Sequence, residues 1–310
     1  MRAVRLIGSA LVEGEAAQPT PGPGEILIRV YAAGVTPTEL NWYPTTHTRD
    51  GAARPAAIPG HEFSGVVAEI GAGVERFEIG QAVYGMNDWF TDGALADYCV
   101  TKPASVAAKP VRLTHVEAAT VPISALTAWQ GLLDRAQLQP RDRVLVHGGA
   151  GAVGLFAVQL AVHHGADVIA TVSAHNVEFV TQLGAAQVID YRAGRFEDSV
   201  EPVDIVFDAA GGDTYDRSVG LLKPGGRIVT IASTEQDKPG FFIVEPRRDQ
   251  LEAIAMLVDA AVLRPFVDAV VPFTETAAAF DGKSIVRRGR GKMVVDLADA
   301  ATSAGSGGLP

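Results

Sequence analysis

Cysteine is almost absent from this chain: Cys99 is the only one in 310 residues. That excludes an intrachain disulfide framework, and it excludes a structural zinc site made of four cysteines. Long apolar runs are missing as well. The richest stretch, 155–162, falls far short of the roughly 20 residues that span a bilayer, and His163-His164 closes it. The opening residues, Met1-Arg2-Ala3-Val4-Arg5-Leu6, lack the apolar centre of a signal peptide and read as a strand. These absences lead us to expect a cytoplasmic protein with no membrane contact. Basic charge is in deficit, with 26 Lys plus Arg against 36 Asp plus Glu and a net charge of −10. An acidic surface disfavours nucleic acid and anionic lipid as partners, yet it leaves room for a local phosphate site.

What is present divides the chain by texture. At this length one hydrophobic core commonly gives way to two, and apolar residues at 47% suffice for both. Up to residue 115 short β-rich runs, 25–30, 65–70 and 82–84, are cut by Gly and Pro, with turns marked at 21–24 and 59–60. This predicts a compact all-β domain, a distorted barrel. From 116 to 266 the runs 143–147, 167–172, 187–189, 204–207 and 227–232 are Val/Ile-rich and continuous, as in strands covered on both faces. Between the first two, Val153, Phe156, Ala157, Leu160 and Ala161 recur at helical spacing up to Gly165, a helix C-cap. Strand and helix in alternation predict an α/β fold with a doubly wound parallel sheet. The β texture returns at 266–272 and 292–297. We expect residues 267–300 to complete the domain begun by 1–115, with 116–266 as the other domain and a small, polar, disordered tail at 301–310.

The segment that carries chemistry is Val144-Leu145-Val146-His147-Gly148-Gly149-Ala150-Gly151-Ala152-Val153-Gly154-Leu155. A buried strand runs into Gly149-x-Gly151-x-x-Gly154, and a helix follows. The first glycine permits a tight turn, the second lets a pyrophosphate approach bare backbone, and the third lets helix and strand pack closely. The helix N-terminus then presents N–H donors and partial positive charge to the phosphates. Alone, such a spacing is equally a glycine-rich turn; here strand, glycines, helix and second strand arrive in order. Gly149, Ala150, Gly151, Ala152, Val153 and Gly154 are therefore candidate cofactor contacts. The end of the second strand selects the dinucleotide. An NAD site places Asp or Glu there for the ribose hydroxyls. This chain reads Val172-Ser173-Ala174-His175-Asn176, with no carboxylate before Glu178. We expect NADPH, bound by a neutral Ser173, with a relaxed site that takes either cofactor as the alternative. No basic partner for the extra phosphate stands out in that segment; Tyr191 and Arg192 are candidates.

These residues resemble the medium-chain dehydrogenase/reductase superfamily, and within it the zinc-free quinone oxidoreductases, over nearly the whole chain. The resemblance extends to Pro59-Gly60-His61-Glu62-Phe63-Ser64-Gly65, Val121-Pro122 with Leu126-Thr127-Ala128, Leu183-Gly184-Ala185, Ile189-Asp190-Tyr191, Asp208-Ala209-Ala210-Gly211-Gly212 and Leu222-Lys223-Pro224-Gly225-Gly226-Arg227. It implies a GroES-like catalytic domain built from both chain ends, an inserted Rossmann domain, and a nicotinamide in the cleft between them. By the same resemblance Thr127 touches the nicotinamide, and Ser173 and Tyr191 face the 2′-phosphate. Backbone groups of 241–244, Phe242 and Val244 among them, hold the carboxamide, and two copies pair through their Rossmann sheets as a homodimer.

Zinc alcohol dehydrogenases share that fold and are the rival reading. Their first ligand is a cysteine after a Gly-Val pair, where this chain has Gly34-Val35-Thr36; His61 survives in Gly60-His61-Glu62. A catalytic zinc needs three strong converging ligands, so we expect no metal, and His61 holds the turn or lines the cleft. Without a metal a simple alcohol or ketone is hard to polarise. A conjugated carbonyl takes hydride at its far carbon and spreads the charge to oxygen. The expected reaction is therefore NADPH-dependent reduction of a quinone or an α,β-unsaturated carbonyl compound, with Tyr43, His61 or water as proton donor. A non-catalytic NADPH-binding protein is the other alternative. Cys99 reads as a small buried hydrophobe. The basic stretch Arg287-Arg288-Gly289-Arg290-Gly291-Lys292 reads as a surface loop, or as one that sends an arginine to the 2′-phosphate.

Overall fold

A computed structural model describes residues 1–232, 238–282 and 285–298; the tail expected to be disordered, 301–310, lies outside them. The chain opens with an antiparallel pair, β1 (Arg2–Ile7) and β2 (Ala10–Glu15). Then β3 (Ile26–Gly34), β4 (Glu62–Ile70), β5 (Ala82–Met86), β6 (Tyr98–Thr101) and β7 (Val106–Ala108) build an antiparallel sheet. A second sheet follows: β8 (Arg143–His147), β9 (Asp167–Val172), β10 (Gln187–Asp190), β11 (Val203–Asp208) and β12 (Leu222–Thr230), all parallel in the order β10-β9-β8-β11-β12. The chain then returns to the first sheet with β13 (Val267–Pro272) and β14 (Lys292–Asp296). β14 pairs with β3, which gives the order β13-β14-β3-β4-β5-β7 with β6 also on β3. The fold is thus α/β: a GroES-like sheet, antiparallel except where β13 pairs with β14, and a Rossmann-like doubly wound sheet.

Two details depart from expectation. The distorted barrel does not close along the described pairings, whose path ends at β13 and β7. And β12 begins at Leu222, five residues before the apolar run that announced it, because the register slips between Val203 and Ile205 and the intervening Lys223–Gly226 turn is carried as an excursion. Among the described residues no helix is long and apolar enough to cross a membrane.

The central parallel strands β8, β9 and β11 bury most of their residues because helices cover both faces. The helix Gly154–His163 buries Leu155, Phe156, Ala157, Val158, Leu160 and Ala161, and Gly165 ends it at φ +79°. Its packing core continues past the sheet to Tyr84, Met86 and Trp89 of the antiparallel half. Two hydrogen bonds cross the same joint: the Tyr84 hydroxyl donates to Leu251 O at 2.6 Å and Trp89 Nε1–H donates to Val244 O at 2.9 Å. The two halves are therefore welded on one side.

β8 ends on a buried histidine just before the glycine-rich loop. Ser218 Oγ donates to Thr214 O at 2.7 Å, so it accepts from His147 Nε2–H at 2.8 Å. Nδ1 is left to accept from Thr171 Oγ1–H at 2.9 Å, and the ring is neutral. Burial, against the opposing charge of Asp208, holds the imidazole down to about 4. His115, stacked on Tyr31 at 4.8 Å, is pushed to about 4 by burial and by Lys109. The unfolded chain protonates both near pH 6.5, whereas the folded protein refuses those protons until about pH 4. Stability must fall as pH drops through that window, with His147 contributing up to about 3 kcal/mol. Urea unfolding across the window should show a shallower decline for His147→Asn, which keeps an acceptor for Thr171, than for the wild type. Identical slopes for the two proteins would contradict this assignment.

Candidate cofactor and catalytic site

The glycine-rich loop leaves β8 at Gly148 (φ +74°) and is tied to β9, where Thr171 O accepts from Gly148 N and Gly149 N at 3.1 Å each. Each fingerprint glycine answers to a different constraint. A Cβ on Gly154 would stand 2.1 Å from Gly148 O, and one on Gly149 would stand 2.9 Å from Ala170 Cβ. Both glycines are thus required by packing within the protein. A Cβ on Gly151 would meet only Gly148 O, at 3.2 Å, and Gly151 is exposed. Of the three glycines it is the one the protein crowds least. The helix Gly154–His163 starts at Val153 with no side-chain cap, so the positive end of its dipole is not offset by a capping side chain. Bare backbone and an uncapped helix start suit the pyrophosphate of a dinucleotide.

Of the remaining expected cofactor residues, Ser173, Tyr191 and Phe242 lie at the carboxyl ends of parallel strands, where open α/β sheets bind ligands. Ser173 follows β9, half-buried, with Oγ 3.3 Å from His175 Nδ1. Tyr191 follows β10, 49% exposed, and its N–H donates to Val172 O at 3.1 Å, which sets it beside Ser173. Phe242 N–H donates to Thr230 O at the end of β12, and both Phe242 and Val244 are buried. The Val244 carbonyl is held by Trp89, as above. Glu245 N–H donates to Gln130 Oε1 at 3.0 Å, so the 241–245 segment is fixed from both halves of the molecule. Ala150, Ala152 and Val153 lie in the loop itself. Thr127 is buried in the helix Pro122–Trp129, and its hydroxyl donates to Ile123 O at 2.6 Å.

The two candidate proton donors part company. Tyr43 is 54% exposed, and its ring stacks on His47 at 4.3 Å. His61 is 1% exposed, with both ring nitrogens engaged: Nδ1 with Glu39 Oε2 at 2.7 Å and Nε2 with Thr91 O at 3.2 Å. A carbonyl only accepts, so Nε2 carries a proton. The other Glu39 oxygen accepts from Gly60 N–H at 3.0 Å. Beside this pair lies another that the sequence did not announce. Lys292 Nζ donates to Glu62 Oε1, while Glu62 Oε2 accepts from Ile123 N–H at 3.0 Å. Burial pulls the Lys292 ammonium down to about 7, against the Glu39 charge that favours its protonated form. These four ionisable groups all lie in the buried interior. Thr36 Oγ1 is buried without a partner, and no cluster of three or more His, Cys, Asp or Glu placed to hold a metal occurs among the described residues. Cys99 sits in β6, its thiol pushed up to about 12 by burial.

Known proteins share this arrangement. Residues 22–111 match the family described as "Alcohol dehydrogenase GroES-like domain", and 183–295 match "Zinc-binding dehydrogenase". The "Probable zinc-binding oxidoreductase, mitochondrial" of Arthroderma benhamiae is 35% identical, over 90% of this chain and 92% of that protein. The "NAD(P)H oxidoreductase RTN4IP1, mitochondrial" of Danio rerio is 30% identical over 89% of this chain and 84% of its own. The "2-methylene-furan-3-one reductase" of Solanum lycopersicum is 32% identical over 92% and 74%. Among solved structures, the quinone oxidoreductase of Coxiella burnetii superposes with a TM-score of 0.84 at 28% identity, over 96% of this chain and 99% of that one. The two mitochondrial names overturn the expectation of a cytoplasmic protein, since a missing apolar signal segment speaks against secretion and does not discriminate between cytoplasm and organelle. With both sheets and the dinucleotide loop in place, the chain belongs to the medium-chain dehydrogenase/reductase superfamily and is an NAD(P)H-dependent oxidoreductase.

Proposed function

We propose that the protein transfers hydride from NADPH to a quinone or an α,β-unsaturated carbonyl compound without a metal ion. The observation that carries this reading is the state of His61. Its Nε2–H donates to Thr91 O and its Nδ1 lies 2.7 Å from Glu39 Oε2, so both ring nitrogens are engaged within the protein. Thr36 and a buried Cys99 add no strong ligand. With no Lewis acid, the substrate must delocalise its own developing charge, as quinones and enones do. A quinone oxidoreductase and a furanone reductase among the similar proteins support the same class.

When bound, NADPH supplies the hydride. The protein's part is to bind, orient and protonate. On this reading residues 116–266 hold the cofactor, and residues 1–115 with 267–300 supply the substrate side. The 149–154 loop seats the pyrophosphate, Ser173 and Tyr191 face the 2′-phosphate, and Thr127 flanks the nicotinamide. The backbone at Phe242 and Val244 meets the carboxamide, kept rigid by Trp89 and Gln130. Of the expected donors, Tyr43 is the exposed one, and we assign it the proton that quenches the substrate enolate. β12 ends the parallel sheet, and a second copy joined at such an edge makes the homodimer.

The purified protein should oxidise NADPH with quinones and enones, keep that activity in EDTA, and hold far less than one zinc per chain. Activity confined to alcohols with stoichiometric zinc would favour the alcohol dehydrogenase reading, and NADPH binding without turnover on any of these substrates would favour a binding protein. Tyr43→Phe should lower kcat about tenfold or more with the cofactor KM unchanged; an unaltered kcat removes Tyr43 from the mechanism. His61→Ala strands the Glu39 carboxylate in the core and should cost about 3 kcal/mol of stability, visible as a lowered Tm. If it instead abolishes turnover in a protein of wild-type Tm, His61 is the donor.

A further inference from the structure

The backbone proposed to meet the nicotinamide carboxamide owes its position to the helix that also carries Thr127. Gln130 is buried, three residues beyond Thr127 on that helix. Its amide pairs with both backbone groups of Glu245: Nε2–H donates to Glu245 O at 2.8 Å, and Oε1 accepts from Glu245 N–H at 3.0 Å. One residue exchanging both bonds with its neighbour is the pattern of an antiparallel sheet, supplied here by a single side chain. A glutamine carries the donor and the acceptor that such a pairing needs. Its orientation follows from its surroundings. The exposed Asp134 carboxylate accepts from Gln250 Nε2–H at 2.8 Å, which turns Gln250 Oε1 toward Gln130 Nε2, 2.9 Å away. Gln130 Oε1 is thereby left to face Glu245 N–H.

The same helix grips the segment at its other end. Beyond Trp129 it widens into a π turn, Gln130–Arg135, closed by Ala136 N–H donating to Gly131 O at 2.9 Å. Wide turns of this kind recur at functional sites. Here a Cβ on Gly131 would stand 3.1 Å from Phe242 Cζ, and the Arg135 guanidinium lies over the Phe242 ring at 4.7 Å. Between the two grips, the N–H groups of Ile243 and Val244 make no hydrogen bond among the described residues. We infer that Gln130 is a positioning residue: it fixes the 242–245 backbone relative to Thr127 and so sets the plane in which the nicotinamide presents its hydride. It acts through that backbone rather than on the cofactor itself. One rigid element then carries one flank of the ring and holds the other.

This inference rests on the proposed seating of the nicotinamide, and calorimetry on the intact protein separates the two. The probes are NADPH, its 3-acetylpyridine analogue, in which methyl replaces the carboxamide NH2, and 2′,5′-ADP, which lacks the nicotinamide. The wild type should bind NADPH about tenfold more tightly than the analogue. Gln130→Met, of similar length but without the amide, should close that gap and lower kcat about tenfold or more, while 2′,5′-ADP binds as before. Gln250→Leu removes the outer link of the chain and leaves Gln130 paired with Glu245, so it should keep the gap. A Gln130→Met variant that binds 2′,5′-ADP normally and keeps the gap would overturn the role of Gln130 and spare the seating. A Gln250→Leu variant that closes the gap equally would reduce Gln130 to general packing and overturn its role as well. Should Gln130→Met not fold, Gln130→Asn, a methylene short of the pairing, takes its place with the same outcomes. A wild type that shows no gap would overturn the seating itself, and the inference with it.

Discussion

The structure depends on how closely the helix Gly154–His163 is driven onto the turn that feeds it. Gly148 O occupies the space a side chain on Gly154 would need, 2.1 Å from its would-be Cβ. That approach brings the uncapped helix start over the carboxyl ends of β8 and β9. Thr171 O, bonded to both Gly148 N and Gly149 N, pins the turn from below, and the neutral His147 pins the Thr171 hydroxyl in turn. A strip of bare backbone results, with positive dipole at one end and the neutral Ser173 past the end of β9. Ser173 and Tyr191, proposed above to face the cofactor, follow β9 and β10 at that end.

The other half of the molecule is the antiparallel sheet, and the chain joins the two by long-range polar contacts set in continuous apolar packing. Trp89 to Val244 spans 155 residues, Tyr84 to Leu251 spans 167, and Lys292 to Glu62 spans 230. The buried ionic pairs are costly to desolvate and are satisfied almost completely, with backbone N–H groups of Gly60 and Ile123 taking the spare carboxylate oxygens. Such pairs fix geometry more than they add stability. Here they hold the turn at Gly60-His61-Glu62 between the first sheet and the helix Pro122–Trp129. His61 thereby serves the architecture, and the metal-free chemistry proposed above needs nothing more from it.

What could be read in the sequence was whatever has a local signature. Strands buried on both faces show as unbroken Val/Ile runs, so β8, β9 and β11 lie within a residue of their expected ends. β12 escaped because its first turn is a glycine excursion paired only at Leu222. The glycine spacing announced the cofactor loop, and the neutral Ser173 was visible as an absent acid. His147 stood in the quoted segment without a role, since one histidine at a strand end has no period to betray it. The pairings of Lys292 with Glu62 and of Gln130 with Glu245 are products of topology; no window of neighbouring residues contains both partners. For the same reason the burial of His61 was legible only as an alternative.

The central claim is that a dinucleotide rests on the backbone at Gly151, and Gly151→Leu tests it most directly, because Gly151 is exposed and a Cβ there would meet only Gly148 O, at 3.2 Å. NADPH titration of a variant with wild-type circular dichroism and Tm should show affinity lost by a hundredfold or more, on the order of 3 kcal/mol. Unchanged affinity in that folded variant would contradict the placement.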